Sequence, residues 1–242
     1  MIKLIYIVIL IYFVLGGLGF YLINRHKEPQ VARNSYTKFG VYFIIINILF
    51  FSIVIDSTVF RYLSGLIIVA GFLELFYLFW KSRFRHPGYF AGSLFVFSVL
   101  SVGFYFFSGL NKELILFSFL VLSIFDSFSQ ITGQLWGHKK IVPDISPNKT
   151  LGGLIGGAIT ALASALLMNK LCNRNVLPLL LIAGGIVVFA FIGDLLASYY
   201  KRKYKVKDYS RLIPGHGGFL DRFDSLLAGG AWVAFSIYVL GF

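Results

Sequence analysis

The sequence predicts an all-α, polytopic transmembrane bundle of about eight spans. Three observations carry this expectation. The 242 residues are 58% hydrophobic and only 13% charged, whereas a soluble domain carries roughly 25% charge. The apolar residues fall in blocks long enough to cross a bilayer, which takes about 20 residues per helix. A β-barrel would instead show short alternating segments. No Pro-rich or Ser-rich linker divides the chain, and no polar stretch is long enough to fold alone. Residues 1–242 therefore read as one integral-membrane domain, with spans 1–4 in 1–110 and spans 5–8 in 111–242.

The first block, 2–23, reads as a span and not a signal peptide. It lacks a strongly basic start and a small-residue cleavage site, and its apolar run is too long. The remaining spans fall at 39–55, 62–80, 89–110, 114–136, 151–168, 177–200 and 225–241. Loops 24–38, 81–88, 137–150 and 201–224 then lie on one side and hold 17 of the 22 Lys and Arg. The other side holds Lys3, Arg61, Lys112, Lys170 and Arg174. Short loops rich in Lys and Arg stay cytoplasmic, so both termini are expected outside and the motif-bearing loops in the cytosol. The net charge of +12 is then the ordinary cytosolic bias plus attraction to anionic headgroups. Nucleic acid is not an expected partner, because the basic residues sit in short membrane loops. Cys172 is the only cysteine, which excludes an internal disulfide and a Cys-based metal site.

Three carboxylates interrupt the apolar runs. A charge at bilayer depth costs at least about 2.5–3.5 kcal/mol by insertion scales, so it needs a partner or a wet cavity. Glu74 in the third span has no motif around it, and pairing with a basic group at the cytosolic edge is expected. Asp126 in the fifth span shares a polar stripe with Ser123, Ser127 and Gln130, which suits either a site or interhelical hydrogen bonding. Asp194 precedes Lys201 by about seven residues, or roughly 10 Å of helix, just below the cytosolic surface. Its small neighbours Gly193, Ala197 and Ser198 allow a helix or ligand to approach.

Loop 137–150 leads into the sixth span through DISPNKTLGG, Asp144 to Gly153. Ser146 and Pro147 read as a helix entry. Lys149 and Thr150 then fall where free amides and the positive helix end face an anion. Gly152, Gly153, Gly156 and Gly157 follow in a small-xxx-small pattern that favours close helix packing. No GxxxxGK[ST] string occurs, so a P-loop NTPase is excluded.

The segment from Ser198 to Asp224, SYYKRKYKVKDYSRLIPGHGGFLDRFD, is the richest in chemistry. Cations beside bare glycine amides suit a phosphate-rich ligand. Asp208, Asp221 and Asp224 suit the hard divalent ion that such a ligand carries.

This segment resembles the signature of the phosphatidate cytidylyltransferases, the CDP-diacylglycerol synthases. The shared positions run from Ser198, Lys201 and Arg202 through Lys207, Asp208 and Ser210 to the PGHGG turn, Pro214 to Gly218, and on to Asp221, Arg222 and Asp224. SPNKT at Ser146 to Thr150 also matches, as does Asp126 ahead of Gly133 and Gly137. The detailed resemblance covers the C-terminal half. Leu151 and Gly152 replace the family's usual Trp and Glu, and Gln130 and Gln134 replace its Tyr and Arg.

The resemblance implies a bacterial inner-membrane enzyme that joins CTP to phosphatidate, with the active site facing the cytosol. A lipid phosphate is already mostly dianionic near pH 7, with a second pKa of about 6, so it needs no general base. Positioning and charge neutralisation should dominate. Asp194 and Asp221 are the leading Mg²⁺ ligands, with Asp224 third, and a second cation fits the same chemistry. Amides of Gly217 and Gly218 would line the phosphates. Lys201, Arg202, Lys207 and Arg222 would neutralise them, and Lys149, Thr150 and Ser146 would clamp the second phosphate. His216 would donate to a phosphate oxygen, and Asp208, Ser198 and Asp126 complete the expected site. A homodimer is also implied. Activation of a different lipid phosphate with CTP is the alternative within enzymes. A transporter using Asp126 and Asp194 would show broken helices in paired halves, and the sequence has no such symmetry.

Overall fold

The computed structural model describes residues 2–26, 28–169, 175–215 and 217–242. Among these, the chain forms α1 (Ile2–Asn24), α2 (Pro29–Ile55), α3 (Ser57–Lys81), α4 (Pro87–Phe107), α5 (Lys112–Trp136), α6 (Leu151–Leu167), α7 (Val176–Lys203) and α8 (Leu220–Tyr238). A short antiparallel hairpin, β1 (Lys140–Val142) and β2 (Ser146–Thr150), stands between α5 and α6. Helices α2, α3, α4, α5 and α7 are long and apolar enough to cross a membrane. The protein is an integral membrane protein with an all-α bundle, as the hydropathy predicts. Cys172, Lys170, Arg174 and His216 lie outside the described residues.

Local chemistry explains the helix ends. Pro29 occupies the first turn of α2, where its missing N–H costs nothing and its fixed φ suits the helix. The helix thus begins well before the apolar block at 39–55, running through polar residues that hydropathy does not register. Asp56 ends α2 and caps α3, accepting the Thr58 N–H at 2.8 Å. Asn111 caps α5 through Leu114 N–H at 3.1 Å.

The expected helix entry at Ser146 and Pro147 is a strand instead. Helix α6 starts only at Leu151, with Thr150 as its cap, extended at φ −121° and ψ 153°. Pro147 lacks an N–H but tolerates an edge strand, and the two-stranded hairpin consists of edges.

Helix α5 is the core of the bundle, buried continuously from Leu114 to Leu122. It packs against α2, α6, α7 and α8. In the α5–α6 seam the α6 face is bare at its glycines, against which the α5 side chains Ser129 and Thr132 lie. A Cβ placed on Gly157 would lie 2.0 Å from Ser129 Oγ, and one on Gly156 would lie 2.5 Å from Thr132 Oγ1. The glycine pattern therefore serves close packing, as expected. Helices α7 and α8 pack together over a long contact, with Trp232 laid across Gly185 and its Nε1 donating to Ile182 O at 3.1 Å.

Candidate active site

The site forms where the C-terminal end of α7 meets the N-terminal end of α8. Small residues bring the two helices together. A Cβ on Gly193 would lie 2.5 Å from Ala228 Cβ and 2.9 Å from the Asp224 carbonyl oxygen. Asp194, the next residue, is thereby set against the first turns of α8, and its charge is felt by Asp224.

Each carboxylate leading the site is met by a lysine. Asp194 Oδ2 lies 2.6 Å from Lys149 Nζ, which β2 carries across from the hairpin. Ser198 Oγ donates to the other oxygen at 3.2 Å, one helical turn on. Lys149 also lies over the Phe191 ring, 4.5 Å from its centroid. Asp221 Oδ1 lies 2.5 Å from Lys201 Nζ. Its Oδ2 accepts the N–H groups of Tyr209 at 2.9 Å and Gly218 at 2.8 Å. Asp126, on α5, is within electrostatic reach of Asp194, Lys149 and Arg222. Three helices and the hairpin thus bring Asp126, Lys149, Asp194, Lys201, Asp221, Arg222 and Asp224 to one end of the bundle.

The PGHGG turn folds back on itself. Ile213 and Gly217 form an isolated bridge, with the Ile213 N–H donating to Gly217 O at 2.9 Å. Gly215 and Gly217 take φ of +76° and +87°, the left-handed region where a Cβ is penalised. At Gly217 a Cβ would also lie 2.9 Å from both Asp208 Cβ and Asp221 Oδ2. Asp208 is thus beside Asp221, on the exposed side of the loop. Tyr209 is buried beneath, its hydroxyl donating to Ala197 O at 3.3 Å. Burial, with the charges of Asp224 and Asp221 behind it, pushes that phenol well above its ordinary value, so it remains a donor.

Several expected phosphate contacts are engaged within the protein. The Gly218 N–H points at Asp221. Arg202 donates from Nε to Ile145 O at 3.1 Å and from a terminal nitrogen to Val206 O at 2.8 Å, tying hairpin to loop. Thr150 Oγ1 accepts the Gly153 N–H at 3.1 Å, and the residue is buried. Lys207 and Asp208 line an open groove of about 1010 Å³ between the end of α3 and residues 206–212. Ser146 stands at the start of β2.

Sequence reasoning missed Glu74. Among the described residues it forms no salt bridge with a basic group. Its carboxylate instead accepts from Ser210 Oγ at 2.6 Å and from the N–H groups of Phe219 and Leu220 at 2.8 and 2.7 Å. No motif surrounds it, and these partners lie 136, 145 and 146 residues away.

Among the described residues, no three His, Cys, Asp or Glu side chains converge into a ready-made metal cage. The donor set is nonetheless of the type Mg²⁺ takes. That ion is usually held by one or two carboxylates, with waters and substrate phosphates completing its octahedron. Asp194 keeps 37% of its side chain exposed, so it can reach such a ligand.

Residues 108–240 match the model of the cytidylyltransferase family. The chain is similar to the phosphatidate cytidylyltransferase of Staphylococcus haemolyticus, 41% identical over 133 residues, 53% of this chain and 51% of the relative. It is 37% identical over 170 residues to that of Staphylococcus epidermidis, covering 68% of this chain and 65% of the relative. It is 40% identical over 121 residues to that of Haemophilus influenzae, covering 48% and 42%. The matches thus span 42% to 65% of these relatives' length.

Proposed function

The chain belongs to the cytidylyltransferase family, and on that premise we propose that it transfers the cytidylyl group of CTP to phosphatidate, releasing pyrophosphate and forming CDP-diacylglycerol. The observation that carries this is the cluster at the α7–α8 junction: Asp194, Asp221 and Asp224 interleaved with Lys149, Lys201 and Arg222, beside a glycine turn.

The chemistry asks for little beyond this. An oxygen of the lipid phosphate attacks the α-phosphorus of CTP, and the bond from that phosphorus to the β-phosphate oxygen breaks. Two polyanions must meet, and charge then builds on pyrophosphate. Lys149, Lys201 and Arg222 offset that charge. Lys207 faces the groove beside α3 and would meet an anionic headgroup there. Asp194, Asp221 and Asp224 would hold Mg²⁺, which when bound supplies neutralisation of phosphate oxygens. The carboxylates themselves do not move a proton. Lys201 pairs with Asp221, and Lys149 pairs with Asp194.

The excess of Lys and Arg in loops 24–38, 81–88, 137–150 and 201–224 supports a cytosolic site in a bacterial inner membrane, with both termini outside. Pairing into a homodimer is part of the proposal, and crosslinking in membranes tests it.

Purified protein supplied with CTP, Mg²⁺ and phosphatidate should yield CDP-lipid and pyrophosphate. A panel of other lipid phosphates, compared by kcat/KM, separates phosphatidate from an alternative acceptor. Asp194→Asn and Asp221→Asn should each abolish turnover with the protein still inserted. Retained activity in both variants removes the metal assignment.

A further inference from the structure

The loop between α7 and α8 is fastened from a helix outside the matched residues 108–240. Helix α8 begins without a cap of its own. Its cap position is Phe219, which has no side chain able to accept, and no side-chain capping bond forms there. The first N–H groups of any helix lack intrahelical partners, and leaving them buried and unpaired is costly.

Two carboxylates take up backbone donors in the loop and at this helix start. Asp221, inside the helix, accepts the Gly218 and Tyr209 N–H groups. Glu74, from α3, accepts the next two, Phe219 at 2.8 Å and Leu220 at 2.7 Å. It also accepts Ser210 Oγ at 2.6 Å, so both ends of the turn hang on one side chain. Glu74 is 3% exposed, and no salt bridge to it is present among the described residues. The N-terminal end of α8 supplies the positive field that favours an anion there. The contact is tight: a Cβ on Gly218 would lie 2.5 Å from Glu74 Oε1. The adjacent Tyr200 hydroxyl donates to Leu75 O at 2.8 Å, fixing α3 and α7 in the same layer.

We infer that Glu74 is a positioning residue for the reaction. It caps α8 across the bundle and sets where Asp221 and Asp224 stand relative to Asp194. Its kinetic arm rests on the function proposed above; its structural arm does not. A neutral amide cannot substitute. In Glu74→Gln one oxygen becomes an NH₂ group, which faces either the Leu220 N–H or the Phe219 N–H, donor against donor.

The test uses the full-length protein in detergent or nanodiscs, as wild type, Glu74→Gln, Ser210→Ala and the double variant. Amide hydrogen exchange is followed alongside turnover of CTP and phosphatidate at graded Mg²⁺. In Glu74→Gln, exchange should rise at residues 218–221 with α4 to α7 unchanged. Losing hydrogen bonds to a charged group should lower kcat roughly 10–100-fold, and the Mg²⁺ concentration giving half-maximal rate should rise. Ser210→Ala should show a smaller loss and add little on top of Glu74→Gln, since both act through one clamp. Ser210→Ala also keeps the test alive should Glu74→Gln fail to fold.

Wild-type exchange in Glu74→Gln overturns the inference. So does protection lost evenly across all helices, with an unchanged Mg²⁺ requirement in the surviving activity, which is the signature of a purely structural residue. Local exchange without any kinetic change in an active enzyme also overturns it. Should wild-type protein make no CDP-lipid, the proposed function falls, and the exchange pattern alone decides the clamp.

Discussion

Lys201 Nζ and Asp221 Oδ1 lie 2.5 Å apart, with side chains only 9% and 2% exposed, and they join the last turn of α7 to the first turn of α8. Removing one member of a buried pair leaves an uncompensated charge and costs about 3–5 kcal/mol. Lys201→Met should therefore lower the melting temperature in detergent clearly. The double variant Lys201→Met/Asp221→Asn should recover part of that loss. Thermal unfolding followed by size-exclusion chromatography measures both, and a double variant less stable than the sum of the singles would contradict the pairing.

The second lysine–carboxylate pair behaves differently. Lys149 and Asp194 are 18% and 37% exposed, and partly solvated pairs contribute little stability. Lys149→Ala should leave the melting temperature nearly unchanged while lowering kcat/KM for CTP. Steady-state kinetics and a thermal scan on the same preparation check this. A large stability loss with intact kinetics would make Lys149 a structural tie.

The α5–α6 seam should resist any added side chain. Gly157→Ala would press a Cβ to 2.0 Å from Ser129 Oγ and 2.8 Å from Phe125 O, and overpacking of this sort costs about 1–3 kcal/mol. Gly65→Ala, on α3 with nothing within 4 Å, should be neutral or stabilising by up to about 1 kcal/mol, as for Gly→Ala inside a helix. Equal melting temperatures for the two would refute the close contact.

The PGHGG turn should depend on Gly217. Its φ of +87° costs an L-residue about 1–2 kcal/mol, and the added Cβ would push on Asp208 and Asp221. Gly217→Ala should cut turnover far more than it lowers expression. CDP-lipid formation normalised to inserted protein reads this, and near-wild-type turnover would mean the turn is not strained against those carboxylates.

The order of the helices was legible because hydropathy reports how much chain must be shielded from water. The helix ends were not. Residues 29–38 of α2 are largely polar, and α8 begins at Leu220, ahead of its apolar block, because backbone chemistry at the ends, Pro29 in one case and the Glu74 carboxylate in the other, and not hydropathy sets where a helix starts. At 146–150 a Ser-Pro pair reads as a helix start, yet the cap is Thr150. That residues 198–224 mix cations, carboxylates and glycines was visible in the sequence alone. Whether a polar group faces outward was not: the Gly218 N–H, the Arg202 guanidinium and the Thr150 hydroxyl oxygen are all engaged within the protein. Glu74 carried no local signal, since Leu73, Leu75 and Phe76 surround it and its partners enter from the far end of the chain.

The reach of Glu74 also bears on biogenesis. Its acceptors wait in the third helix while the ribosome adds the 136 to 146 residues that bring their donors. The loop can lock only after the last helix has been delivered to the membrane. A chain terminated before α8 would therefore hold Glu74 in the third helix with the Phe219 and Leu220 donors still missing.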